Sequence, residues 1–227
     1  MVSSDTALRR LFRDTGKLLE PYGFHGAEPV WTHPRPGGLA RIGRTRITRT
    51  WTDGQQVISF GLTLSATPGA WREFRDWRNA RNGLPPVPED EAAGPDLIDA
   101  HRLPKPLTIP WTLRTDPDRP GHALQADLDA IRAELPARLH AYARRALRLL
   151  EPDEYLDEVL AHPEPDARVW EVAVVLLTDH GPGPRLDDAV NRLRRGVADG
   201  RASEFARDIL VYARDRATNR APTALGG

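Results

Sequence analysis

The chain has 227 residues, 40% of them hydrophobic and 28% charged, and a formal net charge of zero at pH 7. That length allows a sizeable core in one or two domains without covalent staples. The lack of cysteine removes disulfides, thiolate metal sites and cysteine nucleophiles. The balanced charge gives no general drive towards nucleic acid or an anionic membrane.

Of 32 basic residues only Lys17 and Lys105 are lysines, a bias expected of a GC-rich bacterial genome. Residues 1–52 hold nine basic and four acidic side chains, so the positive charge is concentrated early. No apolar run reaches membrane-spanning length, and the start MVSSDTALRRLF lacks the apolar centre of a signal peptide. A cytoplasmic protein with no membrane partner is the expectation.

Leu8, Leu11, Phe12, Thr15, Leu18 and Leu19 recur at helical spacing and predict a helix over 5–20, capped by Ser4 or Asp5 and ended by Pro21 and Gly23. Residues 28–34 read as a short edge strand, and Pro36-Gly37-Gly38 turns the chain into a hairpin over 39–66. Asp53-Gly54 is the two-residue turn signal, so Trp51 faces Gln56, Arg49 faces Ile58, Ile47 faces Phe60 and Thr45 faces Leu62. Alternation puts Trp51, Ile47, Ile58, Phe60, Leu62 and Leu64 on a core face. Arg44, Arg46, Thr48 and Thr50 fall on the other face, opposite Val57, Ser59, Gly61 and Thr63.

Residues 70–82 read as a helix in which Trp71, Phe74 and Trp77 share a broad face. Packing over the sheet edge is the plain reading and an aromatic partner platform the sharper one. Residues 83–106, with six prolines and the acidic run Glu89-Asp90-Glu91, read as a long loop that either folds over the arginine-bearing face or is a solvated insertion. Residues 107–114 alternate as a fourth strand interrupted at Pro110. A helix follows from Leu124, broken or restarted at Pro136, then short helices over 153–161, 166–178 and from Leu186 onwards, and a last helix with Phe205, Ile209 and Tyr212. The expected fold is α+β: an antiparallel sheet of about four strands, a meander plus one, packed on helices. Residues 5–150 form that domain, and 153–218 an all-helical C-terminal region.

Leu19-Glu20-Pro21-Tyr22-Gly23-Phe24, Trp31, Phe60-Gly61-Leu62, Trp111-Thr112-Leu113-Arg114 and Leu135-Pro136 occur in an order that resembles an uncharacterised bacterial family, the one catalogued as domain of unknown function 4304. The resemblance spans about two thirds of the chain, residues 5–150, and departs at the proline-rich loop and the helical tail. It implies an α+β fold and carries no established activity or catalytic residues.

No phosphate loop, dinucleotide fingerprint, nucleophile elbow or zinc-protease motif is present, so no catalytic residue, metal site or cofactor is expected. The seven histidines include one pair, His25 and His33, that brackets the first strand and would have to converge to hold a metal. Carboxylate pairs such as Asp127/Asp129 and Asp153/Glu154 sit near helix starts, where they complement the helix dipole. Arg44 and Arg46 with Thr48, Ser59 and Thr63 form the candidate binding face, since guanidinium forks and hydroxyls suit carboxylates and phosphates. The leading expectation is a non-enzymatic, protein-binding accessory module with an immunity- or stress-associated role. An enzyme or ligand-binding domain for an anionic small molecule at the Arg44/Arg46 face is the alternative, and weak nucleic-acid binding the third.

Overall fold

Asp53 and Gly54 both take positive φ, 52° and 75°, as a two-residue turn of this kind requires. The computed structural model that contains this hairpin describes residues 2–88, 94, 95, 97, 98 and 102–220, the side chains of 152 and 218–220 aside. The fold is α+β with C-terminal helices, and among the described residues seven strands lie in two antiparallel sheets. One sheet has the order β1 (His25–Ala27), β2 (Val30–Arg35), β3 (Gly38–Arg44), β6 (Leu62–Pro68); the other has β4 (Thr48–Thr52), β5 (Gln55–Phe60), β7 (Trp111–Arg114).

The hairpin register holds where the turn dictates it: Trp51 lies opposite Gln56, Arg49 opposite Ile58 and Thr48 opposite Ser59. It fails beyond Ser59. Thr45 donates its N–H to the Gly61 carbonyl (3.0 Å) and its Oγ1 accepts the Gly61 N–H (2.8 Å), so Thr45 meets Gly61 and not Leu62. A side chain that competes for a backbone group interrupts a ladder. Here the interruption divides one long hairpin between two sheets, where a single sheet of about four strands was expected.

Two compact units result, each built from separate stretches: the described residues of 1–33, 40–65 and 99–147, and those of 34–39, 66–98 and 148–227. In the first unit α1 (Ser4–Leu19) begins at Ser3, whose Oγ caps the Thr6 N–H, one residue ahead of the expected caps. Leu8, Leu11, Phe12 and Leu19 on this helix are buried with Ile58, Phe60, Trp111 and Leu113 of the strands. Phe60 is the centre of the aromatic packing, with Phe12 and Trp111 ring centroids 5.5 and 5.6 Å away.

The segment before β7 was expected to be strand. It forms one helical turn, α3 (Lys105–Thr108), and only Trp111–Arg114 pairs. Helix α4 (Gln125–Arg148) runs through Pro136 without a break and buries Leu128, Ile131, Leu135, Leu139 and Tyr142. Its Arg138 is buried over the Trp111 ring (4.5 Å) and bonded to Glu134 (2.6 Å). At the sheet's polar side, Asp127 accepts both the backbone and the guanidinium N–H groups of Arg114. The Arg114 guanidinium holds the Asp127 carboxyl below the usual carboxylate range.

The second unit contains α2 (Gly69–Arg81), α5 (Pro152–Leu160), α6 (Ala167–His180), α7 (Pro184–Ala198) and α8 (Ala206–Arg220). Helix α6 is apolar nearly all round, with Val172 to Leu177 buried, which marks it as the centre of this unit. The aromatic row of α2 packs: Phe74 is fully buried, with Trp71, Trp77 and Tyr212 ring centroids 5.5, 6.3 and 5.4 Å away. The plain packing reading therefore holds, but against α8 instead of a sheet edge. Among the described residues no helix is long and apolar enough to cross a membrane.

Candidate functional site

Arg9, Arg13 and Lys17 stand four residues apart on α1, so they form one row at about 6 Å intervals along the helix. The row faces a groove of about 480 Å³ whose opposite side is the strand β1 with Glu28. Phe12, Phe24 and Trp31, all buried, supply the aromatic floor. Gly16 lets the helix lie close over that floor: a Cβ there would stand 3.0 Å from Trp31 Nε1.

The electrostatics of the groove are one-sided. Glu28 is already neutralised by Arg44, whose Nε lies 2.6 Å from its Oε1, which leaves Glu20 as the acidic group facing three cations. Arg9 donates Nε–H to the Asp5 carbonyl (3.3 Å). Among the described residues no ion pair engages Arg13 or Lys17, and both are exposed. β1 is the outer strand of its sheet and all three of its residues are exposed, so among the described residues one side of its backbone has no strand neighbour.

The residues expected to share a site are separated. Arg44 ends β3 on the same side as the buried Ile42; its guanidinium lies 5.5 Å from the Phe12 ring centre and its side chain is 22% exposed. Thr63 is on β6, near Gly43, on the opposite side of that sheet. Arg46 is exposed in the link between β3 and β4. Thr48 and Ser59 do pair across β4 and β5, but in the other sheet. The break at Thr45 and Gly61 is the physical reason: continuous alternation, on which the shared face depended, ends there.

Trp51 was expected in the core, yet it is 71% exposed, because β4 is an outer strand and Trp51 lies next to the turn. His25 pairs with Thr32 in register, so alternation directs His25 and His33 to opposite faces. His33 Nδ1 instead bonds the Gly23 carbonyl (2.7 Å). Among the described residues no group of three or more His, Asp or Glu could hold a metal ion.

The acidic run Glu89-Asp90-Glu91 lies outside the described residues. The described flanks of that loop fasten to α2 and α6: Val87 N–H to Asp76 (2.8 Å), Pro85 carbonyl to Asn79 (2.8 Å) and Pro95 carbonyl to Arg168 (3.3 Å). The groove itself was half legible in the sequence, where Arg9, Arg13 and Lys17 carry the i, i+4, i+8 spacing. The strand that faces them was hidden, because His25-Gly26-Ala27 has no alternation to mark it. Compared with family models, curated proteins and solved structures, the chain matches none.

Proposed function

We propose that the chain is a non-enzymatic binding module that takes an extended acidic segment of another protein into the groove between α1 and β1. The observation that carries this reading is the row Arg9, Arg13, Lys17 above an aromatic floor, beside an outer strand. Cations about 6 Å apart on a helix match the ~6.8 Å between alternate residues of an extended chain. A peptide with carboxylates at every second position therefore meets successive cations, while its other side chains reach Phe12 and Trp31 and its backbone extends β1. The family resembled by residues 5–150 brings no known chemistry, which accords with a binding role.

Titration calorimetry with a synthetic peptide alternating glutamate and valine tests this, against the same peptide with glutamine for glutamate. The acidic peptide binds more weakly as salt rises, and Arg13→Glu with Lys17→Glu abolishes binding. Equal binding of the two peptides, or indifference to the double substitution, overturns the reading. A compact aromatic carboxylate is the second reading, favoured by the groove's volume of about 480 Å³, which lies within the range of small-molecule pockets. It predicts that such an anion binds alone and displaces the peptide.

A further inference from the structure

β4 is the outer strand of the three-stranded sheet, and all five of its residues are exposed. The direction of its backbone groups follows from its neighbour. Gln56, opposite Trp51, gives both backbone groups to the other side: its N–H to Thr115 Oγ1 (3.2 Å) and its carbonyl to Thr115 N–H (2.9 Å). Antiparallel pairs alternate between bonded and non-bonded. Thr48, Thr50 and Thr52 therefore bond to β5, while Arg49 and Trp51 direct their N–H and C=O groups outwards. Such a row is a template for another strand.

The strand reads Thr48-Arg49-Thr50-Trp51-Thr52, the same in both directions except for Arg and Trp. We propose that two copies of this chain pair antiparallel through β4 about a two-fold axis at Thr50, joining their three-stranded sheets. In this register Arg49 lies opposite Trp51 of the partner copy, twice, at the positions whose backbone groups point outwards. Arginine over an indole is the favoured cation–π pair. Asp5, 2.7 Å from Arg49 Nη2, holds the guanidinium on that face of the sheet. On the other face Thr48 meets Thr52 of the partner copy, and Thr50 meets Thr50; threonine pairs are favourable cross-strand neighbours.

The register is singled out by parity and charge. Of the two neighbouring registers that keep outward groups facing each other, one sets Arg49 opposite Arg49, and the other sets Trp51 opposite Trp51 and leaves Arg49 opposite Asp53, a turn residue at positive φ that cannot continue the ladder. A five-residue strand contact is smaller than a standard interface of about 1,600 Å², which places the pairing among weak associations that need a high protein concentration to be seen.

Sedimentation velocity on the full chain, over a concentration series reaching about 0.5 mM, tests the pairing. The native chain shifts from monomer to dimer as concentration rises. Trp51→Arg sets arginine against arginine and weakens association roughly tenfold or more. Adding Arg49→Trp to it restores the Arg–Trp pairs and the association. Trp51→Pro removes an outward N–H but none of the bonds to β5, so it abolishes the dimer and leaves the backbone signal in the far-UV circular dichroism and the denaturation midpoint close to those of the native chain. A native chain that stays monomeric throughout overturns the proposal. So does a double variant no better than Trp51→Arg, or a Trp51→Pro chain that still dimerises.

Discussion

In the second unit Arg78 binds Asp208 at 2.6 Å and lies 4.6 Å from the Phe205 ring centre, Arg216 bonds Glu73 and Asp179, and Arg192 covers Trp170 and pairs with Asp188. On α1 of the first unit, Arg13 and Lys17 face a groove and make no ion pair among the described residues. The residue types are nearly the same and the composition is silent on the difference. What distinguishes a binding surface from internal packing is whether the carboxylates and aromatic faces around a cation belong to the same unit. Where they do, the guanidinium holds helices together. Where they do not, the charge is left for something else.

The contrast can be broken hardest at the aromatic centre of the second unit. Phe74→Ala removes the ring between Trp71, Trp77 and Tyr212 and lowers stability by about 3–5 kcal/mol, read by chemical denaturation. Next comes the buried carboxylate of Glu171, which accepts both the backbone N–H and the hydroxyl of Ser203 at 2.7 Å. Glu171→Ala leaves both donors unpaired and costs about 2–3 kcal/mol by the same measurement.

Tyr212 sharpens the contrast through pH. Burial pushes its phenol up to about 12, against the pull of the neighbouring Arg216 guanidinium. The folded state holds this proton more tightly than the unfolded chain does. Its contribution is therefore complete below the ordinary phenol value of 10.0 and is lost as pH rises from there towards 12. Denaturation across that window shows falling stability, and Tyr212→Phe flattens the fall. At the acid end Asp127 has the opposite sign: its lowered carboxyl gives stability that is present above 3.8 and lost as pH falls below it. Asp127→Asn removes that acid dependence.

The smallest effect on stability belongs to the groove. Arg13→Ala and Lys17→Ala each change unfolding free energy by under about 0.5 kcal/mol, because exposed side chains that make no ion pair among the described residues hold little together. Each nevertheless weakens binding of the acidic peptide. A large loss of stability in either variant would erase the distinction between the two sets of cations.

Much of the fold was legible because it rests on local patterns. The Asp53-Gly54 turn set the register of β4 and β5, and the periodic leucines and valines located α1, α4, α6 and α7. The division of the hairpin was not legible. It depends on the Thr45 hydroxyl taking a backbone N–H at Gly61, and no alternation pattern records which hydroxyl does so. The candidate face of Arg44, Arg46, Thr48, Ser59 and Thr63 dissolved for that reason alone. The groove lay in plain view on α1, but a cation row means little until the opposite wall is known, and β1 leaves no pattern to find.

Each unit's interleaving of distant segments has a consequence for synthesis. Phe74 of α2 packs on Tyr212 of α8, so the apolar side of α2 emerges from the ribosome long before its partner exists. At translation rates of about 5–20 residues per second, that wait lasts from roughly seven to nearly thirty seconds. During it Trp71, Phe74 and Trp77 form a bare aromatic stripe, the kind of surface that chaperones hold and that neighbouring nascent chains adhere to.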